Sequence, residues 1–272
     1  MTPLAVQTQN LSKYYGDVAV VDDLSMSVPE GSIYGFIGSN GAGKTTTIRI
    51  LLGFAAASSG SATVLGLPRG TLPPEPSPPE IAYLPDVPRF AAWMKPIDAL
   101  IYLGRISGVE PDLAVDRAHD LLDLVGLSGA RGSVGGFSRG MSQRLGIAAS
   151  LIGAPRLLVL DEPTSALDPI GRADVLAIIK QLRGQATVLF TSHLLADVQN
   201  VCDHVGLLHK GKLVLEGELQ DVLATHRSAT TYLRLPGDKA LRDALERQLG
   251  IPVTIESSTL QDVYEAVCHE QQ

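Results

Sequence analysis

Apolar and polar residues alternate along the first part of the chain, and this spacing changes near residue 33. From Leu4 to Val28 the apolar residues recur in short alternating runs, which is typical of antiparallel strands. Ile33–Ile37 is a continuous apolar run that predicts a buried strand, and Thr46–Leu52 predicts a helix. The glycine-rich residues between them therefore lie at a turn from a strand to a helix.

Further apolar runs predict the remaining strands of a sheet. Short strands are expected at Thr63–Leu65, Ile81–Leu84, Leu157–Leu160 and Thr187–Phe190. Val205–Leu208 and Leu213–Leu215 predict a hairpin at the margin of this sheet.

Helical spacing separates two groups of these strands. It predicts helices over Trp93–Gly108 and Asp112–Val125, and a third helix that Ser138 caps. Since no strand signal interrupts them, we expect a helical insert at about residues 90–154, between two halves of a parallel sheet.

The pattern changes again in two places. Prolines crowd one stretch and predict an exposed loop there: Pro68, Pro73, Pro74, Pro76, Pro78 and Pro79. Beyond Leu223, strands are predicted over Thr231–Leu235 and Pro252–Ile255, each followed by an amphipathic helix. We therefore expect a main domain over residues 1–222 and a small C-terminal α/β subdomain over residues 223–272.

Composition limits the class of partner. The 272 residues carry a formal net charge of −7, and since proteins that bind nucleic acid usually present a basic patch, we expect no nucleic acid partner.

The two cysteines, Cys202 and Cys268, lie far apart without metal-type spacing, which suits thiols in a reducing compartment. The best apolar stretch, Leu145–Leu160, is broken by a glycine, a proline and an arginine, so we expect that the chain does not itself cross a membrane.

The turn after the first buried strand has the residues of a phosphate-binding loop. Gly38–Thr46 fits the pattern of Gly, four residues, Gly-Lys and a hydroxyl residue. Its glycines allow backbone N–H groups to turn toward phosphate oxygens at a helix start. Lys44 would reach the β and γ phosphates, Thr45 would ligate Mg²⁺, and Thr46 would reach another phosphate oxygen. The nucleotide-binding residues expected here are Ser39, Asn40, Gly41, Ala42, Gly43, Lys44, Thr45 and Thr46.

Carboxylates follow two of the predicted strands. Asp161 and Glu162 end Leu157–Leu160, on the sheet edge where the phosphate loop also lies. In phosphate-loop enzymes such an acid holds Mg²⁺, and a neighbouring Glu accepts a proton from the attacking water. Asp86 follows another strand, where a turn or helix cap is the usual role.

Three other residues are weak signals when taken alone. His193 ends a strand on the same edge, Tyr15 precedes the phosphate loop, and Ser138 begins a helix. A lone histidine, a core tyrosine and a capping serine are each more often structural.

Several motifs nevertheless occur in the order typical of one family. Besides the phosphate loop, Phe137–Met141 is similar to that family's signature sequence, and Leu157–Glu162 to its Mg²⁺-binding strand with the catalytic Glu. Ser165–Asp168 is similar to the loop that contacts a partner subunit. Over about Val6–Glu218 the chain therefore resembles the ATP-binding subunits of ABC transporters.

The resemblance implies roles for the weak signals. Tyr15 would stack on adenine, and His193 would be the switch histidine that senses the γ phosphate. Ser138 and Gly140 would bind the γ phosphate of ATP held by another subunit. Asp86 stands where the family commonly has a Gln, and it would reach Mg²⁺ through water.

The signature sequence and the proline-rich loop also depart from the family. Phe137, Arg139 and Met141 stand where Leu, Gly and Gln are common. The proline-rich loop replaces the usual helical lead-in, and the sequence offers no functional account of it.

The resemblance also implies a fold and an activity. The fold would be α/β, with a RecA-like phosphate-loop core, an N-terminal antiparallel β subdomain, the helical insert and the C-terminal appendage. The chain would bind and hydrolyse ATP with Mg²⁺, with Glu162, His193 and Lys44 as catalytic residues and Thr45, Asp161 and Asp86 at the metal. It would power export through a separate integral membrane subunit, as in bacterial multidrug and antibiotic exporters. It would pair with a second ATP-binding subunit on the cytoplasmic face of the cell membrane.

Two other classes of protein share the phosphate loop. A soluble ABC-type ATPase acting on nucleic acid or ribosomes usually brings two cassettes or a long coiled coil, whereas this chain has one phosphate loop and no heptad run. A phosphate-loop kinase or GTPase would give Ser138–Gly140 no role, and the chain has no Asn-Lys-x-Asp segment for reading guanine.

Overall fold

The computed structural model describes residues 3–70, 78–165 and 167–225, together with backbone segments at 232–233 and 255–256. Its strands are β1 Leu4–Tyr15, β2 Val18–Pro29, β3 Ile33–Gly38, β4 Ser59–Val64, β5 Leu67–Arg69, β6 Ile81–Leu84, β7 Leu157–Leu160, β8 Thr187–Ser192, β9 His204–His209, β10 Lys212–Glu218, β11 Tyr232–Leu233 and β12 Ile255–Glu256. Its helices are α1 Lys44–Leu51, α2 Pro96–Ile106, α3 Pro111–Leu124, α4 Arg139–Leu151, α5 Pro169–Gln181, α6 Leu195–Val201 and α7 Leu219–Thr225.

Two sheets give the predicted α/β fold. The N-terminal strands form an antiparallel sheet in the order β2-β1-β4-β5, and the second sheet has the order β10-β9-β3-β8-β7-β6. In the second sheet β9, β3, β8, β7 and β6 are parallel, and β10 closes one margin as the predicted antiparallel hairpin. Because the carboxyl ends of parallel strands meet at one edge, the loops after β3, β6, β7 and β8 converge there.

The continuous apolar run of β3 reflects burial on both faces of the sheet. Tyr34 and Phe36 pack with the antiparallel sheet and α1, while Ile33 and Ile37 pack on the opposite face with the helices. All four side chains are at most 2 % exposed. Successive strand residues point to opposite faces, so a strand covered on both sides needs apolar residues throughout.

A helical insert lies between β6 and β7, as predicted, but its first helix starts later than expected. Helix α2 begins at Pro96 rather than Trp93. Lys95 is extended, because the residue before a proline is disfavoured in helical conformation, while the proline itself suits the first helical position. Trp93 therefore lies in the loop ahead of the helix and is 80 % exposed.

The predicted proline-rich loop is partly wrong at its start. Pro68 lies within strand β5, which pairs with β4 at the margin of the antiparallel sheet. An edge strand tolerates a proline because the missing N–H can face away from the neighbouring strand. Residues 71–77 lie outside the described part of the chain.

The C-terminal subdomain is described only in part. β11 lies within the predicted strand Thr231–Leu235, and β12 overlaps the end of the predicted strand Pro252–Ile255. The two strands form an antiparallel pair. The predicted helices after them lie outside the described residues. The predicted boundary after residue 222 falls inside α7. Leu219 and Val222 of this helix are buried against the main core. The division into two domains stays a prediction.

Tyr34 in β3 packs tightly against Gly206 in β9, so a substitution at Gly206 is expected to affect stability. Tyr34 is fully buried and donates a hydrogen bond from its hydroxyl to Glu216 Oε1 at 2.7 Å. Burial and the Glu216 carboxylate raise the pKa of Tyr34 well above its usual value, so the hydroxyl keeps its proton. A Cβ at Gly206 would overlap this hydroxyl. We expect Gly206→Ala to lower the free energy of unfolding by about 1–3 kcal/mol, measured by urea denaturation.

A nearby glycine provides the control for this substitution. A Cβ at Gly217 in β10 would meet Val222 Cγ2 at 3.4 Å, an ordinary contact. Gly217→Ala should therefore leave the urea midpoint nearly unchanged. Equal effects of the two substitutions would contradict the packing argument.

Candidate active site

The phosphate loop has a backbone that only glycine accommodates at two positions. It connects β3 to α1, and Gly41 and Gly43 have φ angles of +81° and +110°. A Cβ at Gly43 would also lie 2.5 Å from the Val20 carbonyl oxygen. Both glycines are therefore required by the turn, and Gly43 is required also by the strand that packs against it.

Lys44 holds the loop closed on itself. Its Nζ donates hydrogen bonds to the carbonyl oxygens of Gly38 at 2.6 Å and Ser39 at 3.3 Å. The same Nζ lies 3.1 Å from Glu162 Oε1, an ion-pair contact. The side chain is only 6 % exposed, so its positive charge is directed into the site.

Asp161 is a buried carboxylate with oxygen neighbours. It accepts hydrogen bonds from Thr191 Oγ1 at 2.7 Å and Thr45 Oγ1 at 3.3 Å. Burial raises the pKa of Asp161; the bonds from Thr191 and Thr45 oppose the shift, and the Glu162 charge adds to it. A cation beside the carboxylate would offset this cost of burial.

The donors around Asp161 fit Mg²⁺ bound with a nucleotide. Mg²⁺ takes oxygen ligands, and in such sites it is held by one or two carboxylates and the substrate phosphates. Asp161 and Thr45 supply this kind of ligand set. Among the described residues no cluster of three or more His, Cys, Asp or Glu is placed to hold a metal.

Glu162 is paired with His193. Its Oε2 lies 2.7 Å from His193 Nδ1, and its backbone φ of +49° lies in the left-handed region. Its N–H donates to Thr191 Oγ1 at 2.8 Å, which fixes this uncommon conformation. The structure thus brings together all three predicted catalytic side chains, Lys44, Glu162 and His193.

Two residues of the site were missed by the sequence reasoning. Thr191 contacts both Asp161 and Glu162, and the pairing of β7 with β8, in which Leu160 faces Phe190, could have indicated this. Tyr83 on β6 is the other: partial burial and the Asp161 charge raise its pKa to about 12. No residue pattern around Tyr83 points to this contact.

The phosphate loop and the carboxylates line one cleft of about 300 Å³, called here the nucleotide cleft. Its lining residues are Val20, Ser39, Asn40, Gly41, Ala42, Gly43, Lys44, Thr45, Thr46, Asp86, Asp161 and Glu162. Asp86 accepts a hydrogen bond from Ser165 Oγ at 2.5 Å and lies 3.9 Å from Arg139 Nη2. It is therefore at the site, and its contact with a metal stays a prediction.

Three predicted ligands are not among the residues that line this cleft. Tyr15, at the end of β1, is 51 % exposed, and Lys13 Nζ lies 5.2 Å from the centre of its ring. Ser138 caps α4 as predicted, accepting from Met141 N at 3.2 Å, and is exposed. Gly140 follows it on the same helix start. Neither Ser138 nor Gly140 lines the cleft that holds the phosphate loop of their own chain.

Comparison with known proteins identifies this arrangement. Residues 21–165, more than half of the chain, match the family model described as ABC transporter. The chain belongs to the ATP-binding proteins of the ABC transporter family. ABC ATP-binding proteins are ATPases coupled to transport and bind nucleotide, and the roles predicted for the individual residues of the cleft stay predictions.

Related ABC proteins cover most of the chain. An uncharacterized ABC transporter ATP-binding protein, YxlF of Bacillus subtilis (strain 168), is 35 % identical over 261 residues, 94 % of this chain and 85 % of that protein. The bacitracin transport ATP-binding protein BcrA of Bacillus licheniformis is 40 % identical over 224 residues, 78 % of this chain and 69 % of its own length. These relatives are transport proteins, so they give no support to the alternative of a protein acting on nucleic acid.

Solved ABC structures share the fold. A structure described as the ATP-binding subunit of an ABC transporter has a TM-score of 0.75 at 25 % identity, covering 98 % of this chain and 100 % of its own. A nucleotide-free ATP-binding cassette has a TM-score of 0.69 at 25 % identity, covering 82 % and 96 %. Within the described part of this ABC protein, no helix has the length and apolar character needed to cross a membrane.

Proposed function

We propose that this ABC ATPase powers export through a separate membrane subunit, with ATP bound between two copies of the chain. One observation carries the proposal. The nucleotide cleft contains the phosphate loop, Asp161 and Glu162, whereas Ser138 and Gly140 lie outside it on the exposed start of α4. A helix start is a favourable place for an anion, so α4 is suited to the γ phosphate held by a second copy.

Hydrolysis in this proposal depends mainly on positioning and charge. Mg²⁺, held by Thr45 and Asp161, would neutralise charge on the phosphates. Lys44 would exchange its contacts with the loop carbonyls for the β and γ phosphates. Glu162 would take the proton from the attacking water at a carboxylate oxygen, and His193 would orient that carboxylate. Tyr15 would stack on the adenine base.

The membrane subunit would dock beside the helical insert. A cleft of about 540 Å³ lies between the margin strand β6 and helices α2 and α4, and Ile106 lines it. The same insert carries the exposed apolar residues Trp93 at 80 % and Tyr102 at 57 %, and Ile106 is also exposed. Exposed apolar residues of this kind are typical of a protein contact, which we place on the cytoplasmic face of the membrane.

Backbone hydrogen bonds connect this surface to Ser138. Val134 N donates to Met94 O at 2.9 Å, and Gly135 N donates to Ala92 O at 2.9 Å. The loop that carries Trp93 is thereby joined to the segment just before the start of α4. Movement of a docked partner would reach Ser138 through this connection.

The export proposal rests on the relatives as well as on the surface. BcrA is named for bacitracin transport, and the lantibiotic transport ATP-binding protein SrtF of Streptococcus pyogenes is 35 % identical over 215 residues, 78 % of this chain and 90 % of that protein. We infer an antibiotic-like or other amphipathic cargo that contacts the membrane subunit.

Co-purification tests this docking. The chain should co-purify with the product of an adjoining reading frame that has several membrane spans. Trp93→Glu combined with Ile106→Glu should abolish co-purification, because each would place a charge in an apolar contact. Leu113→Glu, on the exposed face of α3, is the matched control and should co-purify like the wild type. Retention of the membrane subunit by the double variant would contradict the docking surface.

A further inference from the structure

A buried carboxylate outside the nucleotide cleft connects three segments around the site. Asp197 lies on the first turn of α6 and is 1 % exposed. Its Oδ2 accepts a hydrogen bond from Thr164 Oγ1 at 2.6 Å. Its Oδ1 lies 2.5 Å from both Arg172 Nε and Arg172 Nη2. The mechanism described above uses none of these three residues.

The three segments lie next to the predicted catalytic residues in the sequence. Thr164 is itself 1 % exposed and stands two residues after Glu162, ahead of the loop Ser165–Asp168. Arg172 lies on the first turn of α5, which follows that loop. Asp197 stands four residues after His193, and its N–H donates to Leu194 O at 3.1 Å. The carboxylate therefore joins the loop after Glu162 to the helix after His193.

Glu162 itself depends on this loop. Its carbonyl oxygen accepts from Ser165 N at 3.0 Å, and its side chain reaches His193 at 2.7 Å. A displacement of Thr164 would move the backbone on one side of Glu162, while Thr191 holds the other side through the Glu162 N–H. Thr164 and Asp197 therefore lie one contact away from the segment that carries Glu162.

We propose that Asp197, through Thr164 and Arg172, is a positioning residue that keeps Glu162 in contact with His193. This inference rests on the proposed hydrolysis by Glu162. A buried carboxylate needs its hydrogen-bond donors, because removing one leaves a charged oxygen without a partner. Thr164 would then shift away from Asp197 and α6.

Substitution of Thr164 tests the inference without removing the charge pair. Thr164→Val keeps the shape of the side chain and removes the hydroxyl. It should lower kcat by roughly 10- to 100-fold, since a catalytic group displaced by about 1 Å can cost that much. Affinity for Mg·ATP should stay within about twofold, because Thr164 does not line the nucleotide cleft. Thr164→Ser keeps the hydroxyl and should restore most of the lost rate.

Thr8→Val provides a matched control for the loss of a buried hydroxyl. Thr8 is 2 % exposed in β1, donates to Leu24 O at 2.9 Å and accepts from Met26 N at 2.9 Å. It lies in the antiparallel sheet, away from Glu162. Thr8→Val should lower the melting temperature as Thr164→Val does and leave kcat unchanged.

A second readout does not depend on turnover. The ring nitrogen resonances of His193, assigned by their absence in His193→Ala, should shift in nucleotide-free Thr164→Val and stay in place in Thr8→Val. Unshifted His193 resonances, or a kcat loss no larger than that of Thr8→Val, would overturn the positioning role. A His193 shift in Thr164→Val together with a wild type that does not hydrolyse ATP would instead contradict the proposed function.

Discussion

Glu162→Gln is expected to bind Mg·ATP as tightly as the wild type and to hydrolyse it at least about 100-fold more slowly. The amide keeps the size of the side chain and its reach to His193, but it cannot accept a proton from water. Phosphate release at saturating ATP measures kcat, and a fluorescent ATP analogue measures affinity.

A glutamate outside the site provides the control for this variant. Glu30 forms an exposed ion pair with Arg156 at 3.1 Å, and Glu30→Gln should keep the wild-type rate. Turnover of Glu162→Gln within about tenfold of the wild type would show that another group takes the proton.

The second large effect is expected at Lys44. Among the described residues that line the nucleotide cleft, Lys44 is the sole Lys or Arg, and it faces the three carboxylates Asp86, Asp161 and Glu162. Lys44→Ala would leave these negative charges without a balancing side chain where phosphates must bind. We expect the affinity for ATP to fall by roughly 10- to 100-fold, as for the loss of one or two hydrogen bonds to a charged group.

Calorimetric titration with ATP and Mg²⁺ measures this affinity. Lys212→Ala removes an exposed lysine whose Nζ lies 3.2 Å from Asp22 Oδ2, and its affinity should match the wild type. An unchanged affinity in Lys44→Ala would mean that the backbone N–H groups of the loop and Mg²⁺ carry the phosphate binding alone.

Local patterns in the sequence were sufficient to predict the central sheet and the phosphate loop. The apolar run Ile33–Ile37 predicts β3 because both faces of that strand are covered, and the glycine spacing predicts the turn because Gly43 packs against Val20. The start of α2 was predicted too early. The apolar spacing around Trp93 favoured a helix there, but Pro96 disfavours helical conformation in the residue before it.

Contacts between distant segments were beyond these patterns. Thr191, 30 residues from Asp161, enters the site only because β8 pairs with β7. Asp86 was placed correctly at the end of β6, but its bond to Ser165, 79 residues away, depends on how the two loops converge. The same applies to Thr164 and Asp197, 33 residues apart.

We propose a dimer because Ser138 and Gly140 lie outside the nucleotide cleft of their own chain. Light scattering on purified Glu162→Gln tests it most directly, since this variant should hold ATP without consuming it. With saturating Mg·ATP the measured mass should be twice that of the 28.8 kDa chain, and with ADP it should be that of one chain. A mass of one chain in Mg·ATP, under conditions where binding is saturated, would contradict the shared site.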